Sequence, residues 1–149
     1  MTLPPLPMSA IVVAAEAADW RAAVTLAGEA LVRSGSALPE YSTEMIRMIE
    51  EHGPYVVIAP GLALAHARPG PAVVADGLSI VTLASPVTFG HPHNDPVSVI
   101  LGLAMVSADT HLAAVAAVAN VFNDSSAIAD LAAARSAEEV RSIMGAVEL

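Results

Sequence analysis

The chain is expected to fold as one α/β domain, a mixed β-sheet flanked by helices. Three observations carry that expectation. Short β-branched or apolar runs alternate with segments whose apolar residues recur at helical spacing. Glycine, proline and Asx/Ser clusters separate these segments. The length, 149 residues, suits one domain that buries about two-thirds of its unfolded surface and needs no staple.

The elements follow in order. Residues 1–9 carry three prolines and no basic residue, which reads as a flexible lead and not as a signal peptide. Ile11-Val12-Val13-Ala14 is the first strand. Asp19 is placed to cap a helix through Trp20, Ala23, Val24, Ala27 and Leu31, which Gly35 ends. A second helix is expected from about Pro39 to His52, with Met45, Ile46, Met48 and Ile49 inward and Gly53-Pro54 as its stop. Val56 to Ile58 and Leu62 to Leu64 read as strands on either side of a tight turn at Pro60-Gly61. A proline-containing loop runs from Arg68 to Ala75. Leu78 to Leu83 is a strand, extended through Pro86 to Gly90 toward a polar loop at His91 to Pro96. Val97 to Met105 is a further apolar strand. Asp109 is expected to cap a helix through Leu112, Val115, Val118 and Val121. Asn123-Asp124-Ser125 break it before a short helix through Ile128 and Leu131. Ser136-Ala137-Glu138-Glu139 matches a capping box that opens the last helix, with Val140, Ile143 and Met144 inward.

Composition excludes several functions. There is no cysteine, hence no disulfide framework and no thiolate chemistry. No apolar stretch reaches the roughly 18 residues of a membrane span, so no direct membrane insertion is expected. A net charge of −9 with six Lys+Arg opposes nucleic-acid binding, which needs a basic face for the phosphate backbone, but not docking to a basic protein. There is no P-loop and no G-x-G-x-x-G. Ser79 and Ser98 lie inside expected strands without a nucleophile elbow.

Histidines carry what chemistry remains. His66 closes the apolar segment that begins at Tyr55, and it has two readings: a core histidine satisfied by backbone groups, or a nucleophile that accepts a phosphoryl group. Neutral imidazole has a free lone pair near neutral pH and needs no separate strong base. Arg68 is close enough in sequence to meet phosphate oxygens. His111, early in its helix, lies where backbone N–H groups favour an anion and disfavour a charged imidazolium. His52 reads as the basic end of a helix. His91, His93 and Asp95 have part of the H-x-H-x-D spacing of binuclear metallohydrolases, but Pro96 stands where a further histidine belongs. The plainer reading is a polar loop in which Asn94 or Asp95 caps turns.

Gly53-Pro54-Tyr55 through Pro69 resembles the active-site segment of enzyme IIA domains of the bacterial phosphotransferase system, in the mannitol–fructose superfamily and more narrowly of the ascorbate type. Asn94-Asp95-Pro96-Val97, Asp109-Thr110-His111, Val121-Phe122-Asn123-Asp124 and Ala137-Glu138-Glu139-Val140 extend the likeness from about Ile11 to Met144, implying a IIA domain over residues 10–147. The resemblance implies that His66 takes the phosphoryl group from the phosphocarrier HPr and hands it to a cysteine of an enzyme IIB partner, which serves a membrane enzyme IIC. His111 would contact the phosphoryl group. Arg68, His93, Asn94 and Asp95 are accessory candidates, and Leu62, Leu64 and Phe89 are expected to rim the docking surface. The family acts in the cytoplasm with no metal or other cofactor. Two residues depart from its pattern: Ala65 replaces the proline before the active histidine, freeing the chain there, and His93 replaces an acidic or amide residue. A regulatory phospho-switch would use the same accepting chemistry. Monomer and homodimer both stay open, as does the transported sugar.

Overall fold

The computed structural model describes residues 3–124 and 126–145. Its elements are β1 (Ile11–Ala15), α1 (Trp20–Arg33), α2 (Glu40–His52), β2 (Val57–Ala59), β3 (Leu62–His66), β4 (Gly77–Val87), β5 (Val97–Ala104), α3 (Ala108–Val121), α4 (Ser126–Ala133) and α5 (Ala137–Met144), with a short 3₁₀ turn at Met8–Ala10. The five strands form one mixed sheet in the order β1-β4-β5-β3-β2. β1 runs parallel to β4 and β3 parallel to β5, while β4–β5 and β2–β3 are antiparallel.

Strand alternation sorts the core into two layers. Ala63 and Ala65 of β3 join Ala23, Val24, Ala27 and Leu31 of α1 and Tyr41, Met45 and Ile49 of α2. Leu62 and Leu64 face the other way and join Val118, Leu131, Val140 and Met144 of α3, α4 and α5. His66 has the parity of Leu62 and Leu64, which directs it toward the face covered by α3. Small residues let α1 approach the sheet. The Ser79 hydroxyl on β4 donates to the Ala27 carbonyl at 2.8 Å, beside Gly102 of β5, where a Cβ would meet Ser79 and Ala27.

Local signals account for most boundaries. Asp19 accepts from Ala22 N at the start of α1, and Ser136 accepts from Glu139 N at the start of α5. The Glu139 carboxylate reaches back to Arg135 N, one residue before the cap. Gly53, at φ +83°, ends α2, and Gly61, also at φ +83°, turns the β2–β3 hairpin, a region that disfavours residues with a Cβ.

Two expectations need correction, and a third needs only a new boundary. The lead is packed where it is described: Leu6 is buried in the core, Pro5 O accepts from Leu78 N, and Ser9 O accepts from Arg33 Nε. Its apolar residue and carbonyls found partners on β4 and α1, which a proline count does not reveal. The cap of α3 is Ser107, whose hydroxyl accepts from Thr110 N, and Asp109 lies inside the first turn. The extended segment expected from Leu78 through Gly90 is a single strand that ends at Val87 and is irregular between Thr82 and Val87. Ser125, within the expected helix break, and residues 146–147 of the expected domain lie outside the described residues.

Candidate functional site

β3 and β5 end side by side, with His66 in register with Leu103. Beyond their C-terminal ends, a cleft of about 480 Å³ opens between the end of α2 and the start of α3, the usual position of sites in open α/β sheets. His66, Arg68, His52, Tyr55, His111 and Leu112 are among its lining residues. The structure therefore brings His66 and His111 together from positions 45 apart in sequence, with ring centroids 5.3 Å apart.

The His66 ring is oriented by its own strand. Nδ1 lies 2.9 Å from the Leu64 carbonyl, which can only accept, so Nδ1 carries the proton and Nε2 keeps the lone pair. Burial lowers the His66 pKa and nearby His111 lowers it further, against the opposing effect of the Leu64 bond. The ring is thus neutral and nucleophilic at neutral pH. An NMR titration is expected to place its midpoint below 6.5, the ordinary value, and a midpoint at or above 6.5 would remove this account of the nucleophile. The sign for stability follows. Between the lowered folded value and 6.5 the unfolded chain holds the extra proton, so this group weakens the fold as pH falls below 6.5.

Tyr55, which sequence reasoning left unassigned, stands edge-on to His66 with centroids 5.6 Å apart at 87°. His52, read as a helix end, also meets Tyr55 edge-on at 6.4 Å and lines the cleft. Its place on the last turn of α2 serves both roles. Burial raises the Tyr55 phenol, and the adjacent Arg68 charge partly offsets this. Arg68 is the single arginine or lysine lining the cleft among the described residues, and it forms no salt bridge among them. His111 Nδ1 is buried without a hydrogen-bond partner among the described residues.

His93, Asn94 and Asp95 lie elsewhere. Asn94 O accepts from Gly61 N, at the start of β3, which puts this loop at the opposite end of the strand from His66. Five steps of about 3.3 Å separate Gly61 from His66 along the chain, on the order of 16 Å. The cause is the parallel pairing of β3 with β5, which places their starts together and their ends together. The loop is occupied with its own backbone. Asp95 accepts from Phe89, Gly90 and His91 N–H groups, and His91 Nδ1 accepts from His93 N and Asn94 N. Those lone pairs are spent on turn formation, and no group of three or more metal-ligating side chains occurs among the described residues.

The expected apolar rim is also different. Leu62 and Leu64 are buried beneath α3–α5, and Phe89 is buried in the other core layer beside Trp20. The open apolar surface at the cleft comes instead from Tyr55 and Leu112, the latter 75% exposed, with exposed Val106 just before α3. The substitution of Ala65 for proline leaves the strand intact: Ala65 pairs in register with Gly102, and the ladder continues to His66.

Comparison with known proteins adds an independent line. Residues 5–146 match the family model described as phosphoenolpyruvate-dependent sugar phosphotransferase system, EIIA 2. The chain is 40% identical over 127 residues to the ascorbate-specific PTS system EIIA component of Salmonella typhimurium, covering 85% of this chain and 82% of that one. Among solved structures, a PTS IIA protein of Streptococcus mutans superposes with a TM-score of 0.82 at 36% identity, covering 91% of this chain and 86% of the other. The nitrogen regulatory protein IIA-Ntr of Neisseria meningitidis superposes with a TM-score of 0.79 at 29% identity over 93% and 95%.

Proposed function

Since the chain belongs to the EIIA 2 family of the phosphoenolpyruvate-dependent sugar phosphotransferase system, we propose that His66 is its phosphoryl acceptor, that HPr is the donor, and that a IIB cysteine receives the group for uptake of an ascorbate-type sugar. The observation that carries the assignment is the His66 ring itself: Nδ1–H tied to Leu64 O, and Nε2 left with a lone pair at the cleft.

The chemistry is two substitutions at phosphorus. In the first, Nε2 forms the new N–P bond while the donor's N–P bond breaks, and the donor imidazole leaves with that electron pair. In the second, a partner thiolate forms an S–P bond while the Nε2–P bond breaks, and Nε2 regains its lone pair. Nδ1 keeps its proton and its hydrogen bond throughout. Both steps demand alignment and charge stabilisation more than driving force. Arg68 supplies a cation for the phosphoryl oxygens, and the His111 ring, which lines the cleft beside His66, supplies a hydrogen bond from the edge it turns to the cleft. Tyr55, Leu112 and Val106 form the apolar ground on which donor and acceptor dock in turn.

The same reading puts the protein in the cytoplasm, where a soluble donor meets it, with the membrane step belonging to a IIC partner. No single helix among the described residues is long and apolar enough to cross a membrane. The nitrogen regulatory likeness, at 29% identity, is weaker than the likeness to ascorbate-specific relatives at 39–40%, which favours transport over a regulatory switch.

Incubation with phosphoenolpyruvate, enzyme I and HPr should add one acid-labile phosphoryl group, read by intact mass. A folded wild-type protein that gains none would end the proposal. His111→Ala should still accept the group, with transfer slowed by about 10²–10³-fold, the usual effect of removing one donor to a developing charge. Quench-flow rates within twofold of wild type would remove His111 from the site.

A further inference from the structure

Tyr41 does not line the cleft, yet its hydroxyl meets the backbone on both sides of His66. The residue is fully buried on α2. The hydroxyl oxygen accepts from Ala67 N at 3.0 Å and donates to the Leu103 carbonyl at 2.6 Å, with Ala67 O farther away at 3.3 Å. One hydroxyl proton serves one strong bond, and the short contact to Leu103 takes it. Leu103 is the register partner of His66, and Ala67 is the residue that follows it. The phenol oxygen therefore stands between a β3-side N–H and a β5-side carbonyl that would otherwise be neighbours in the ladder.

We propose that Tyr41 is a positioning residue for His66, its hydroxyl wedged into the last rung between β3 and β5 so that the strands part directly after the histidine. The wedge has two consequences. It keeps Ala67 N–H and Leu103 C=O paired although the ladder has ended, so the parting leaves neither of these two groups unsatisfied. It also directs the departing chain, since Ala67, Arg68 and Pro69 all line the cleft. His66 is then held from below by Leu64 O and from behind by the Tyr41 relay, and both fix where Nε2 points. Burial pushes the Tyr41 phenol up to about 12, so the donor persists at every pH at which the protein works.

The kinetic part of this inference rests on the phosphoryl-acceptor reading; the geometric part does not. Tyr41→Phe keeps the ring and deletes the relay. Nitrogen-15 NMR of the imidazole should show the His66 titration midpoint moving up toward 6.5 and the Nδ1–H tautomer losing its dominance, and the phosphorylation rate should fall about 10–100-fold, as expected for misplacement of a reacting atom by an ångström or less. Ile49→Val, which trims another buried side chain of α2 without touching the hydroxyl, should leave tautomer, midpoint and rate unchanged. Wild-type tautomer and midpoint in Tyr41→Phe would overturn the proposal, as would equal shifts in Ile49→Val. Should Tyr41→Phe not fold, 3-fluorotyrosine at position 41 keeps the shape and strengthens the donor; unmoved Ala67 amide and His66 ring resonances would then overturn it. A wild-type protein that shows the tautomer but takes no phosphoryl group counts against the phosphocarrier reading alone.

Discussion

His66→Ala is expected to remain at its unmodified mass under conditions that fully phosphorylate the wild type, a rate loss on the order of 10⁴-fold or more, as when a covalent nucleophile is removed. The size of the effect follows from the lack of a substitute. Among the described residues lining the cleft, His111 has Nδ1 buried, and His52 lies beyond Tyr55 with no backbone acceptor shown to hold its ring. Neither has the pairing that leaves His66 with a proton fixed on Nδ1 and a free lone pair on Nε2. The alanine protein should fold, because His66 is only half-buried at the end of β3 and the β3–β5 register is set upstream by Leu62, Ala63 and Leu64. Circular dichroism would verify this. A folded His66→Ala protein that still gains an acid-labile phosphoryl group would transfer the role to another histidine and undo the mechanism.

Gly102→Val is expected to give a large loss of stability from a single added side chain. Gly102 lies in the middle of β5, in register with Ala65 on one side and Ser79 on the other. A Cβ there would collide with the Ser79 hydroxyl and press on Ala27 O and Ala27 Cβ at 3.2 and 3.3 Å. None of these can yield cheaply: the two Ala27 atoms are helix backbone and its shortest side chain, and the hydroxyl is already bonded to Ala27 O. Relief requires α1 to lift from the sheet or the buried serine to lose its acceptor. Overpacking and the broken bond together are expected to cost about 2–4 kcal/mol. For a domain of this size that lowers the melting temperature by roughly 5–15 °C. Scanning calorimetry decides it, and a melting temperature within 2 °C of wild type would show that α1 has slack the packing does not suggest. Gly102→Ala should show the same trend at smaller amplitude.

Much of the fold was legible because its signals are local. Asp19 and Ser136 cap the helices expected of them, Gly53 and Gly61 sit where the backbone takes a positive φ, and apolar runs of strand length became strands. His66 was legible for a related reason: a lone histidine closing a buried strand is visible as a pattern, and its segment resembles a family segment. The cap of α3 was misread by two residues because Ser107, Asp109 and Thr110 are all competent near a helix start. The packing of the lead was not legible because burial of Leu6 depends on β4, far along the chain.

The sequence by itself determined the class of protein: alternating strands and helices, and a lone histidine closing a buried strand within a segment that resembles the EIIA family. Only the tertiary structure decided which residues share the site. The side on which a loop meets a strand depends on whether the pairing is parallel, which carries no local signature. The parallel β3–β5 pair sent His93, Asn94 and Asp95 to the far end and brought Leu103 beside His66. The end of α2 and the turn after it delivered His52 and Tyr55 to the cleft, and α2 carried the Tyr41 hydroxyl to the last rung. A lone aromatic on an amphipathic helix reads in sequence only as core. Its hydroxyl acquires a role when folding places it between the Ala67 N–H and the Leu103 carbonyl at the end of the ladder.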